Sequence, residues 1–154
     1  MRDLTREEYT SVLIKMLSWH TALERLFTIM LPPDIVKFVG TTDYSSPLRD
    51  DLNSLEYTEL DTTSEAELDI CGPDQIIGAI YVMLGSTNGA KIISRHLKRV
   101  KPLFPIHYYT ECAKEAESWQ QFIAWLSDYD KDMSQKQRKS VLTGARKSFE
   151  FLLD

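Results

Sequence analysis

Two glycines four residues apart, Gly85 and Gly89, lie inside the longest helical pattern of this chain. The pattern runs from Pro73 to Arg99. Ile76, Ile77, Ile80, Met83 and Leu84 follow an i, i+3, i+4, i+7 spacing, and Ile92, Ile93 and Leu97 resume it. Pro73 suits a first turn, where no backbone N–H is needed. Lys91, Arg95, Lys98 and Arg99 suit the negative end of a helix dipole. A glycine inside a helix is disfavoured by about 1 kcal/mol against alanine. Two on one face, with Ser86, Thr87 and Asn88 between them, restrict what the helix can be for. A neighbouring helix can press on the bare backbone, or the helix can kink there. Alternatively, a flat ligand can lie where any Cβ would clash. Spacing alone favours packing and leaves both readings open.

A length of 154 residues fits one domain spanning 1–154, with one sizeable core. The net charge of −5 gives no general electrostatic support for a nucleic-acid partner, and none is expected. No apolar run approaches the about 18 residues of a membrane span, so no membrane helix is expected. Residues 1–11 are charged and polar, unlike a signal peptide. Cys71 and Cys112 have no metal-ligand spacing and make no disulfide framework. The expected compartment is the cytoplasm.

Taken in order, Thr5-Arg6-Glu7-Glu8 reads as a capping box. It opens a long amphipathic helix with Tyr9, Val12, Leu13, Met16, Leu17, His20, Leu23, Glu24 and Phe27 on one side, ending at Leu31-Pro32. A short helix over 34–39 should stop at Gly40. Residues 41–47 read as a turn-rich loop. Ser46-Pro47 should open another short helix with Leu48, Leu52 and Leu55 inward. Residues 56–72 read as a connecting loop. After the glycine helix, Lys101-Pro102 and Pro105 break the chain. The spacing predicts a helix over 111–129 that buries Trp119, Phe122, Ile123 and Leu126. A last helix is capped by Ser134, with Val141, Ala145, Phe149 and Leu152 as its stripe. No strand pattern stands out, so the expected class is all-α.

Residues 78–90, Gly-Ala-Ile-Tyr-Val-Met-Leu-Gly-Ser-Thr-Asn-Gly-Ala, resemble the distal helix of bacterial heme oxygenases, the biliverdin-producing type. The resemblance extends to Leu4-Thr5 through Tyr9 with Leu13 and His20-Thr21-Ala22-Leu23-Glu24, which look like that family's second helix. Pro47 to Leu55, Trp119-Gln120-Gln121-Phe122 with Leu126, and Ala145 to Phe149 are similar to later family segments. It implies a heme-oxygenase-like multi-helix bundle with a glycine-kinked central distal helix. It also implies that Tyr81, Gly85, Ser86 and Gly89 line heme, which is both substrate and cofactor. Gly85, Ser86 and Gly89 would then be the catalytic positions, steering distal water.

The family's proximal histidine lies on a first helix, and Met1 falls close to the start of the second. His20, within His-x-x-Leu-Glu, is the candidate substitute ligand for heme iron. The alternative for a histidine on an apolar helix face is a packed core residue. The family's cationic propionate contacts correspond here to Gln120 and Ala124, leaving Lys91 or Arg95 to compensate. Leu84 stands where a glutamate is common.

Two functions follow from the resemblance. One is oxidative cleavage of heme to biliverdin, CO and iron, with O₂ and an electron donor. The other is a non-catalytic protein of the same fold that binds a tetrapyrrole such as a bilin, or a protein partner. The second reading comes with an expected homodimer or partner covering an apolar helix face.

Overall fold

The computed structural model describes residues 3–39, 43–58 and 67–153. Its elements are all helical, with no strand among the described residues. Gly40, residues 41–42 of the expected loop, and residues 59–66 of the expected connection lie outside them.

Helix α1 (Arg6–Met30) starts at the capping box. Thr5 Oγ1 accepts from the Glu8 amide at 3.1 Å, and the Thr5 amide donates to Glu8 Oε2 at 2.9 Å. Leu31 turns extended before Pro32 and ends the helix. Tyr9, Leu13, Leu17, His20 and Leu23 are buried, joined by Trp19 and Ala22. Val12, expected inside, is 43% exposed.

A 3₁₀ turn (Pro33–Ile35) leads into α2 (Val36–Val39). Helix α3 (Ser45–Ser54) begins where the Asp43 carboxylate accepts the Ser46 amide at 3.0 Å. Leu48, Leu52 and Leu55 point inward as expected.

The glycine helix comes in two lengths, α4 (Gly72–Gly85) and α5 (Thr87–Val100), separated at Ser86. Over one 18-residue window this stretch is long and apolar enough to match a membrane span, which the sequence reading did not expect. Yet 56% of that window is buried inside the protein, as in a core helix.

The expected helix over 111–129 is two helices, α6 (His107–Ala113) and α7 (Ala116–Asp130). Tight i→i−3 bonds, Lys114 N to Glu111 O at 3.2 Å and Glu115 N to Cys112 O at 3.0 Å, close the first. Its start lies upstream of the expected one because a buried carboxylate from α3 caps it. The Asp51 oxygens accept the His107 and Tyr108 amides at 2.9 Å each.

Helix α8 (Gln135–Leu153) opens with a second reciprocal cap. Gln137 N donates to Ser134 Oγ at 3.1 Å, and Ser134 N donates to Gln137 Oε1 at 2.8 Å. Its inward line is Gly144 and Ser148. Val141, Ala145 and Leu152 flank that line, whereas Phe149 is 52% exposed.

The core is built along α4, where Ile76, Ile77, Ala79, Ile80 and Leu84 are almost fully enclosed. Helix α8 runs against α4, α5 against α6, and α1 against α3. The α4–α8 crossing is backbone on backbone. A Cβ on Gly78 would overlap the Val141 carbonyl oxygen and lie 2.5 Å from the Ala145 amide. A Cβ on Gly144 would overlap the Gln75 carbonyl.

Candidate functional site

The break at Ser86 has a local cause. Ser86 Oγ donates to the Met83 carbonyl at 2.6 Å and Thr87 Oγ1 to the Leu84 carbonyl at 2.5 Å. Hydroxyls that bond back to the preceding turn compete with the helical ladder and bend it. The ladder then tightens, with Gly89 N reaching Ser86 O at 3.3 Å in an i→i−3 bond. The interruption lies between the two glycines, immediately after Gly85, and Ser86 itself keeps helical backbone angles.

The two glycines have different surroundings. A Cβ on Gly85 would meet the Trp119 ring at 3.3 Å, so α7 packs on the bare backbone there. Tyr81, one turn earlier and 40% exposed, sets its ring edge-on to Trp119 at 5.2 Å. A Cβ on Gly89 would find only Ile93 Cδ1, at 4.0 Å. Helix packing therefore accounts for Gly85 and leaves Gly89 unexplained.

Ile93 also borders an open groove of about 440 Å³, walled by Leu4, Tyr9 and Val12 on one side and Ile92, His96 and Leu97 on the other. Tyr81, Gly85, Ser86 and Gly89 follow one another along a strip of α4 and α5 in which Trp119 covers Gly85 and only Gly89 is open, beside Ile93 and the apolar groove. Ser86 is exposed, and its hydroxyl keeps lone pairs to accept a bond. Lys91 and Arg95 are exposed and make no ion pair among the described residues. Gln120 and Ala124 face solvent on α7.

His20 is not part of this strip. It is 2% exposed in the core, between α1, α3 and α6. Its Nε2 is 2.8 Å from the Tyr108 hydroxyl. Its ring stacks on Tyr44 at 4.8 Å and meets the edge of Tyr108 at 5.5 Å. Burial pushes its pKa down to about 3, so the imidazole is neutral. Burial likewise pushes the Tyr44 and Tyr108 phenols up, holding both protonated. The buried Trp19 Nε1 and Tyr44 Oη atoms of the same ring cluster have no hydrogen-bond partner among the described residues.

Below this cluster, burial raises the Asp51 carboxyl, and the two amide bonds from α6 only partly offset it. Tyr9 Oη donates to the Pro105 carbonyl at 2.6 Å and ties α1 to the same corner. The arrangement fixes α6 and, through Tyr108, the His20 ring. It is a supporting network with no exposed reactive group.

No three His, Cys, Asp or Glu side chains group together as a metal site among the described residues. No family model, curated protein or solved structure matches this chain.

Three features escaped the sequence reading: the Gly78–Gly144 crossing, the Trp119 ring under Gly85, and the Asp51 cap on α6. Each joins residues distant in sequence, so no local signal marked them.

Proposed function

We propose that this chain is a heme-oxygenase-like domain that holds a flat tetrapyrrole, heme or a bilin, against the open backbone at Gly89, beyond the Trp119 ring that covers Gly85. The observation that carries this reading is the uncovered backbone of Gly89. A helical glycine disfavoured by about 1 kcal/mol and lacking a packing neighbour suits a surface that a planar ligand must approach closely. The apolar groove past Ile93 extends that surface, and the unpaired Lys91 and Arg95 are available to ligand carboxylates.

The residues fit a flat body better than they fit an axial ligand. His20 Nε2 is engaged by Tyr108 inside the core, which does not suit coordination of an iron lying on the strip. Binding is therefore the first reading. Heme cleavage to biliverdin, CO and iron is the second, favoured by the Gly85-Ser86-Thr87-Asn88-Gly89 resemblance. Heme would supply the oxygen chemistry. Ser86 would orient water beside the ligand, and an electron donor would be required.

Titration of the purified chain with heme or biliverdin, read by absorbance, tests the proposal. A saturable one-to-one shift is expected, weakened at least about tenfold in Gly89→Leu, because the new side chain occupies the ligand's place. The variant should fold normally, since Gly89 opens on free space. No saturable shift, or equal binding by the variant, would overturn it. Added ascorbate then separates the two readings, since only the enzyme converts bound heme to biliverdin.

A further inference from the structure

On the inner side of α4, away from the glycine strip, a cavity of about 230 Å³ lies between α1, α2, α3 and α4. Its walls are apolar, with Leu23, Phe27, Val39 and Met83. The Tyr44 and His20 rings, stacked at 4.8 Å, close its floor. Among the described residues one charged group borders it, Glu24, one turn along α1 from His20.

Glu24 is half-buried. Its Oε1 accepts the Ser45 hydroxyl at 2.6 Å, and it makes no ion pair among the described residues. A partly buried carboxylate without a cation is unfavourable unless something compensates it. Elsewhere, charges from separate parts of the fold meet in ion pairs, Lys101 with Asp3 and Lys147 with Asp69.

We propose that this cavity binds a small organic ammonium ion with an apolar body. The carboxylate selects a cation and repels an anion. An ammonium group carries several N–H donors. Glu24 offers an acceptor for one. At the rim the Thr28 hydroxyl, which donates to the Arg25 carbonyl at 2.7 Å, keeps lone pairs for another. The faces of aromatic rings are electron-rich and attract cations, so Phe27 and Tyr44 suit the same charge. The neutral His20 imidazole adds no competing positive charge to the floor. Leu23, Val39 and Met83 take the apolar body. This assignment does not depend on tetrapyrrole binding, because Met83 is 3% exposed and faces the core, opposite the strip.

Calorimetric titration of the full chain with benzylammonium, benzyl alcohol and benzoate at pH 7 tests it. Benzylammonium should bind saturably at one site, benzyl alcohol at least about tenfold more weakly, and benzoate not measurably. Glu24→Gln keeps an oxygen for Ser45 and should cut benzylammonium affinity at least about tenfold while leaving the alcohol unchanged. Its melting temperature reports that it has folded. If the variant does not fold, the three ligands on the native chain decide alone. Equal binding of the ammonium and the alcohol, undiminished binding by a folded Glu24→Gln, or no saturable binding of benzylammonium would each overturn the assignment.

Discussion

Gly78 on α4 and Gly144 on α8 let their helices meet backbone against backbone, each occupying the place where the other helix's partner residues would clash with a side chain. The atoms in the way are main-chain atoms of Val141, Ala145 and Gln75, which cannot rotate aside. Overpacking in a filled core typically costs about 1–3 kcal/mol, and backbone obstruction belongs at the upper end. Helix propensity returns at most about 1 kcal/mol on replacing glycine by alanine. Gly78→Ala and Gly144→Ala should therefore each lower stability by about 2 kcal/mol or more, read as a drop in urea midpoint. Unchanged midpoints would mean that α4 and α8 do not cross this closely.

Gly89→Ala should do the reverse. The position opens on free space, so the added methyl meets no obstruction and the helix gains up to about 1 kcal/mol. Gly85→Ala should lie between the two cases, because Trp119 at 3.3 Å must yield by a few tenths of an ångström. Urea unfolding of all four alanine variants therefore ranks the glycines as 89, 85, then 78 and 144. If Gly89→Ala gains stability and loses tetrapyrrole affinity together, the glycine is kept for its surface and not for its fold.

The local signals were legible in the sequence and the long-range ones were not. Thr5 with Glu8, Leu31 before Pro32, and Ser134 all act within a few residues, and each ends or starts a helix where expected. Gly85 and Gly89 looked equivalent because spacing records only the face they share. Their difference comes from Trp119, supplied by α7. The α6 start was misplaced because its cap, Asp51, comes from α3. His20 read as either a ligand or a core residue until Tyr108 and Tyr44 closed around it. Glu24 read as one more position on the α1 face, since its cavity needs Tyr44, just before α3, and Met83 from α4.

Asp51 carries a further expectation. Its carboxylate, 2% exposed, accepts two α6 amides at 2.9 Å. Asp51→Ala leaves both donors without an acceptor, at about 1–3 kcal/mol each where they are buried. The expected loss is about 2–6 kcal/mol, with Asp51→Asn recovering part of it through one oxygen. Amide hydrogen exchange should quicken at Tyr108 before it quickens in α4. Uniform exchange across both helices would show that the cap does not hold α6 separately.

The buried His20 gives a pH dependence of known sign. Its pKa falls from an ordinary 6.5 to about 3 in the folded protein. The unfolded chain therefore binds a proton between those values that the folded chain refuses. Stability from this group is full above pH 6.5 and erodes as pH falls from 6.5 through about 3. At about 1.4 kcal/mol per unit, the loss is on the order of 5 kcal/mol by the acid end. Replacing the imidazole by an uncharged amide in His20→Gln should lower stability at pH 7, since the Tyr108 pairing and the stack on Tyr44 are disturbed. The same variant should flatten the loss of stability between pH 6.5 and about 4, while the raised Asp51 carboxyl, which titrates with the opposite sign, is common to both proteins. Urea midpoints collected across that range for both proteins check this. Parallel profiles would place His20 in contact with water and available to other partners. A profile flattened as expected, with heme absorbance unchanged by His20→Gln, would assign the imidazole to the core and leave any iron ligand to be sought elsewhere.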